Sequence, residues 1–265
     1  MRVENVGLAF LLTFIAGIST GIGSIIAFFS KGFNPDFLSG SLGFSAGVMI
    51  YISFVEIFSK ANDIFLENMG IKTSYLLTIL SFFAGILFIA IIDKIVPKYE
   101  NPHEVRNIRI KNDESLKRLG IFSAIAITIH NFPEGFATFI GALTSLKLGL
   151  GIAIAIAIHN IPEGIAVLFP IYYSTKSKIK AFWLSFLSGI SEPIGALIGF
   201  FILRNLLNGI LSGIVFGIVA GIMVYISLDE LLPTAEEYGK HHIAISGLII
   251  GMFVMALSIF LFKTN

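Results

Sequence analysis

Apolar residues run along this chain in long unbroken stretches separated by short polar joints. Eight such stretches are read, at residues 5–29, 38–59, 74–95, 117–141, 148–173, 181–203, 209–233 and 242–262. Each is long enough for a helix to cross a hydrocarbon core of about 30 Å, which takes roughly 20 residues. The alternation at period two over about ten residues that marks a membrane barrel is missing. The expected fold class is therefore an all-α polytopic membrane protein, one transmembrane domain over residues 1–265, with a polar loop at 96–116.

Composition sharpens this picture. Of 265 residues 55% are hydrophobic and 13% charged, against about 25% charged in a soluble domain. Residues 1–5 are mixed in charge and lead into a full-length apolar stretch, unlike a cleavable secretory signal, so the first span is expected to be retained. Cysteine is absent, which removes disulfides and thiolate ligands. A net charge of +1 without a basic cluster on a soluble domain gives no reason to expect nucleic acid.

The polar joints carry an orientation signal. Lys94, Lys98, Arg106, Arg109, Lys111, Lys117 and Arg118 surround the 96–116 loop, and Lys31, Lys176, Lys178, Lys180 and Lys240 fall on the same side. Arg2, Lys60, Lys72, Lys147, Arg204 and Lys263 fall on the other. The positive-inside rule makes the loop side cytoplasmic and both termini extracytoplasmic.

Two internal repeats refine the topology. Residues 46–57, AGVMIYISFVEI, align on 220–231, AGIMVYISLDEL, with seven identities in twelve, pairing Met49 with Met223, Ser53 with Ser227 and Glu56 with Glu230. Residues 16–29 align on 188–201 with eight identities in fourteen, placing Thr20 opposite Glu192. Shared apolar composition explains matched Ile and Leu, not matched Tyr, Ser and Glu. Span one thus matches span six and span two matches span seven. An offset of five spans reverses direction, so the halves form an inverted repeat in a 3+2+3 layout, with spans four and five at its centre. A weaker match of Ala84-Gly85 with Ile250-Gly251 fits the same scheme.

Spans four and five carry the chemistry. HNFPEG at 130–135 and HNIPEG at 159–164 are near copies. In a helix His130 and Glu134 share a face, as do His159 and Glu163, so each pair can clasp one ion. Asn131 and Asn160 point about 100° away. Pro133 and Pro162 free the carbonyls of Ile129 and Ile158 from their usual helical bonds. Around Glu134, Glu163 and Glu192, spans four, five and six contain no Lys or Arg between Lys117-Arg118 and Arg204 other than those in their loops. Each unpaired carboxylate at the bilayer centre costs about 2.5–3.5 kcal/mol on insertion scales. Their alternatives are to take up a proton or to hold a cation. Imidazole, carboxylate and amide without thiolate suit Zn²⁺, Fe²⁺, Mn²⁺, Co²⁺ or Cd²⁺.

Other polar groups carry less weight. Met49, Ser53 and Glu56 form one helical stripe, as do Met223, Ser227 and Glu230, and could line a path. Glu56 and Glu230 lie near span ends, where interfacial water is the competing explanation. Glu236, Glu237, His241 and His242 cluster between spans seven and eight, where a solvated surface group is the commoner outcome.

With HNFPEG, HNIPEG and the Ser-Glu-Pro around Glu192 on an eight-span frame, the chain resembles the ZIP family of divalent-metal transporters, in particular its prokaryotic ZupT-type branch. The resemblance implies a binuclear site at mid-membrane. His130, Glu134 and Glu163, with Met49, would hold one ion. Asn131, Asn160, Glu163 and Glu192 would hold the second, with Glu163 bridging and His159 nearby. It implies metal uptake into the cytoplasm, zinc foremost, by a protein of a prokaryotic plasma (inner) membrane, with the metal as cargo and no catalytic cofactor. A homodimer is compatible with it. This chain lacks a histidine-rich run in the loop after span three, so loop-based metal sensing is not carried over. A metal-selective channel and an intramembrane metalloenzyme are the competing functions; the latter lacks the expected His-Glu-x-x-His string.

Overall fold

The computed structural model describes residues 6–29, 34–95, 113–203 and 209–264. Most of the 96–116 loop, with Lys98, His103, Arg106, Arg109 and Lys111, lies outside them, as do Arg2, Lys31 and Arg204. Every regular element among the described residues is helical: α1 (Val6–Phe28), α2 (Pro35–Ile52), α3 (Ser59–Leu66), α4 (Ile71–Ile95), α5 (Asp113–Thr144), α6 (Leu146–Thr175), α7 (Lys178–Leu203), α8 (Gly209–Ile226), α9 (Leu232–Tyr238) and α10 (His241–Thr264). Among the described residues, seven helical stretches are long and apolar enough to cross a membrane. Large apolar side chains cover the outside, among them Ile71, Phe83, Leu87, Phe201 and Phe253, as expected of a surface facing lipid.

The helices overrun the spans read from hydropathy. A single helical stretch runs over Pro35–Leu66, past Ser59, Lys60 and Asp63, because polar residues beyond the bilayer end the apolar run but not the backbone ladder. Its start is set locally: the Asn34 side chain accepts the Phe37 N–H at 3.1 Å, and Pro35 follows at the first turn. Two π-helical segments, Ser53–Phe58 and Ser227–Leu231, were not foreseen. Both open at the serines matched by the repeat. Ser53 Oγ donates to the Met49 carbonyl at 2.6 Å and Ser227 Oγ to the Met223 carbonyl at 2.7 Å. Hydroxyls returned to the preceding turn loosen the local ladder.

The helices pack as two groups. Helices α1, α5, α6 and α7 contact one another extensively, while α2 packs on α10 and α4 on α8. Between the groups, α2 lies against α6. An apolar cavity of about 500 Å³ lies where α5 meets α8 and α4, lined by Phe88, Ile129, Phe136 and Val219 among others.

Close approaches come in matched pairs. A Cβ on Gly135 would fall on the Glu192 carbonyl, and one on Gly164 on the Thr20 carbonyl. One on Gly85 would fall on the Ile218 carbonyl, and one on Gly251 on that of Phe44. Each member maps onto its partner under the sequence repeat, and the main helix pairings exchange in the same way, α1–α6 with α7–α5 and α2–α10 with α8–α4.

Candidate metal centre

Helices α5, α6 and α7 run through Pro133, Pro162 and Pro193 without ending, and these prolines mark the depth at which the polar side chains gather. His130, Asn131, Glu134, His159, Asn160, Glu163 and Glu192 are all at most 1% exposed. Four helix backbones meet around them because glycine replaces bulk at the crossings. The site thus sits inside the α1, α5, α6 and α7 group, shielded from lipid by the apolar faces of the same helices.

The two hexapeptides engage each other crosswise. His130 Nε2 lies 3.1 Å from Glu163 Oε2, and His159 Nε2 lies 3.2 Å from Glu134 Oε2. Sequence spacing points to a clasp within each helix, His130 with Glu134 and His159 with Glu163; the structure pairs each histidine with the neighbouring helix. An unpartnered buried carboxylate is costly, and the antiparallel α5–α6 contact lets both pairs form at once. Among the described residues, no three His, Asp or Glu side chains stand around one point as a closed metal cage.

The asparagines follow the same symmetry. Asn160 Nδ2 donates to the Ala16 carbonyl at 3.0 Å and to Glu192 Oε1. Asn131 Nδ2 donates to the Ser188 carbonyl at 3.5 Å, the repeat equivalent of Ala16. Several buried oxygens have no hydrogen-bond partner: Glu134 Oε1, Glu192 Oε2, Asn131 Oδ1, Asn160 Oδ1 and Thr20 Oγ1. Buried acceptors normally find donors. A cluster of unmatched oxygens is what a cation would satisfy.

The peripheral residues divide. Met49 is buried, one turn beyond Ser45, whose hydroxyl reaches α6. Glu230 is 8% exposed and brings Oε2 to 3.9 Å from His130 Nδ1, so it joins the edge of the site. Its repeat partner Glu56 does not. Glu56 lines a separate cavity of about 350 Å³ with Lys60, Asp63, Lys147 and Ile259. His241 Nδ1 meets Glu236 Oε1 at 2.7 Å on an exposed surface, distant in sequence and burial from the central groups. Sequence reasoning missed Ser45. Its hydroxyl lies 3.4 Å from Glu163 Oε1 and 3.3 Å from the His159 carbonyl, reaching from α2 into the other helix group. The only signal was its place one turn before Met49, and Val219 stands at the equivalent repeat position.

Comparison with known proteins identifies the family. The sequence model of the ZIP zinc transporter family matches residues 94–259. The chain belongs to the ZIP family. It is 60% identical over 265 residues to the zinc transporter ZupT of Chlorobaculum parvum, covering 98% of this chain and 99% of that protein. It is 57% identical over 279 residues to ZupT of Clostridium perfringens, with 98% of each covered, and 60% identical over 256 residues to ZupT of Streptococcus mutans, covering 96% and 97%. The family match and these full-length relatives describe transport, leaving the metalloenzyme reading without support.

Proposed function

We propose that this chain takes up zinc into the cytoplasm as a secondary transporter of the plasma membrane, through a binuclear site built by spans four, five and six. The observation that carries this reading is the pair of crossed His–Glu contacts at 3.1 and 3.2 Å, buried among unmatched oxygens. Two ligand atoms about 2.1 Å from one zinc ion and 3.1 Å apart subtend about 95° at the metal, an angle a zinc sphere accepts. The His130–Glu163 pair thus already has the spacing of two ligands on one ion. His130, Glu134 and Glu163, with Met49, hold the first ion; Asn131, Asn160, Glu163 and Glu192 hold the second; His159 supports Glu134. Glu230 is a candidate at the edge of the first site, and Glu56 at the outer vestibule. Fe²⁺, Mn²⁺, Co²⁺ and Cd²⁺ suit the same donors.

The wider architecture in this reading is eight spans in a 3+2+3 inverted repeat, with α5 as the fourth and both termini outside. Reciprocal glycine crossings and exchanged helix pairings support it. The α1, α5, α6 and α7 group carries the cargo and moves against the α2, α4, α8 and α10 group. The apolar cavity between α5 and α8, set against the packed α2–α6 boundary, supports motion there. A divalent ion entering at −100 mV gains about 4.6 kcal/mol, so uptake needs no further energy source.

Reconstituted vesicles loaded with chelator test the proposal. Radioactive zinc uptake should saturate, be competed by Mn²⁺ and Cd²⁺, and vanish in Glu163→Ala while that variant still inserts. Normal uptake by Glu163→Ala would overturn the site. Flux that does not saturate and rises only weakly with temperature would favour a channel.

A further inference from the structure

Thr20 is the residue whose chemistry the established features leave unused. It lies on α1, is 0% exposed, and its hydroxyl oxygen has no hydrogen-bond partner. A threonine in an apolar helix usually returns its hydroxyl to the carbonyl four residues back. The other buried threonines among the described residues do this: Thr13 to Ala9 at 3.0 Å, Thr78 to Ser74 at 2.9 Å and Thr138 to Glu134 at 3.0 Å. For Thr20 that carbonyl belongs to Ala16, which instead accepts from Asn160 Nδ2 and from Ser19 Oγ. The hydroxyl is turned elsewhere.

Its position follows from the repeat. Thr20 aligns with Glu192. Glu192 packs its Cβ over Gly17 on α1 and joins Asn160, whose amide also binds the Ala16 carbonyl. On the other side of the pseudo-twofold, the Thr20 Cβ and Oγ1 stand over Gly189 on α7, within 2.9 and 2.8 Å of where a Cβ there would be. Asn131 binds the carbonyl of Ser188, the adjacent residue. Thr20 Oγ1 and Asn131 Nδ2 therefore reach adjacent residues of α7, Gly189 and Ser188, while Thr20 Oγ1 and Asn131 Oδ1 are both buried and unmatched. Thr20 and Asn131 hold the repeat positions of Glu192 and Asn160, with a neutral hydroxyl in place of the carboxylate and without the hydrogen bond that joins Asn160 to Glu192.

We infer that Thr20 is a cargo-binding residue, its hydroxyl oxygen supplying with Asn131 a neutral, hard half-site for a divalent cation opposite the charged half at Glu192 and Asn160. This inference rests on the proposed central site and deepens it. A hydroxyl at this point adds an oxygen donor without a fourth negative charge beside Glu134, Glu163 and Glu192. Hard oxygen donors favour Mn²⁺ over the softer Cd²⁺, so Thr20 acts on selectivity as well as affinity.

The test compares Thr20→Val, Thr20→Ser and Glu163→Ala in the same vesicles, with manganese and cadmium as transported ions. Thr20→Val is expected to raise KM for Mn²⁺ about tenfold, the loss typical of a supporting metal contact, with a smaller rise for Cd²⁺ and an unchanged saturated rate. Thr20→Ser keeps the oxygen and should behave as the parent. Equal KM values in Thr20→Val and parent would overturn the inference, as would a loss of saturated rate shared by both metals and by Thr20→Ser, which is packing damage. Should Thr20→Val fail to assemble, Thr20→Ala against Thr20→Ser makes the same comparison. Undiminished uptake by Glu163→Ala would instead overturn the central site itself, whatever Thr20→Val does.

Discussion

Replacing Gly164 with alanine adds one methyl group and removes no proposed ligand atom, yet it should disable the site. The new Cβ would overlap the Thr20 carbonyl oxygen, stand 2.9 Å from the carbonyl carbon and 3.2 Å from the Ser24 nitrogen, where ordinary contact is 3.4–4 Å. Backbone cannot rotate away as a side chain can. Helix α1 must retreat from α6 by about an ångström or more to restore van der Waals separation. That retreat stretches the Asn160 Nδ2 to Ala16 contact, now 3.0 Å, past hydrogen-bonding range and draws Ser24 Oγ, now 3.2 Å away, off the Gly164 carbonyl. Overpacking of this kind costs about 1–3 kcal/mol. A shift of about 2–4 °C in melting temperature per kcal/mol is usual at this chain length. Gly151→Ala is the control, since no atom lies within 4 Å of a Cβ there and alanine favours helix by up to about 1 kcal/mol. The assay is thermal unfolding in detergent with and without zinc, paired with vesicle uptake. Gly164→Ala should melt earlier, gain less from zinc and transport poorly, while Gly151→Ala matches or exceeds the parent. Equal melting and equal uptake for Gly164→Ala would refute the close-packed crossing.

Three further outcomes are expected. Zinc uptake should fall as external pH is lowered from 8 to 5, because imidazole and carboxylate bind metal only after losing their protons, so acid favours the metal-free form; uptake that is flat across this range contradicts proton–metal competition at the site. Ser45→Ala should weaken zinc affinity by about fivefold, the worth of one hydrogen bond near 1 kcal/mol, and an unchanged KM would show that Ser45 does not position Glu163. The parent chain has no cysteine, so Gly70→Cys in the open turn before α4 should react with an impermeant maleimide on intact cells, and labelling only after lysis would reverse the proposed orientation.

Much of this was legible in the order of residues, for physical reasons that differ by element. Continuous apolar runs gave the helical membrane class because lipid offers no partner to a bare backbone. The paired hexapeptides stood out because His and Glu are too costly inside such runs to lie there without purpose. The match of Ser53 and Glu56 with Ser227 and Glu230 located both π-helical segments without revealing them, since a π turn depends on how one hydroxyl and its neighbours share carbonyls. Helix ends were misjudged at Lys60 and Asp63, where hydropathy stops before the helix does. The crossed pairing of His130 with Glu163 was hidden because spacing reports neighbours along one helix, whereas this contact depends on how α5 and α6 cross. Ser45 was hidden for a similar reason, and the unequal fates of Glu56 and Glu230 follow from packing that departs from the repeat.

The central claim is that zinc binds between the crossed His–Glu pairs, and anomalous diffraction from zinc-soaked crystals tests it most directly. The account places a zinc peak within bonding distance, about 2.0–2.2 Å, of Glu163 and His130, with that peak absent in Glu163→Ala crystals. Zinc confined to the exposed His241–Glu236 pair, with the central histidines and glutamates unaltered, would contradict it.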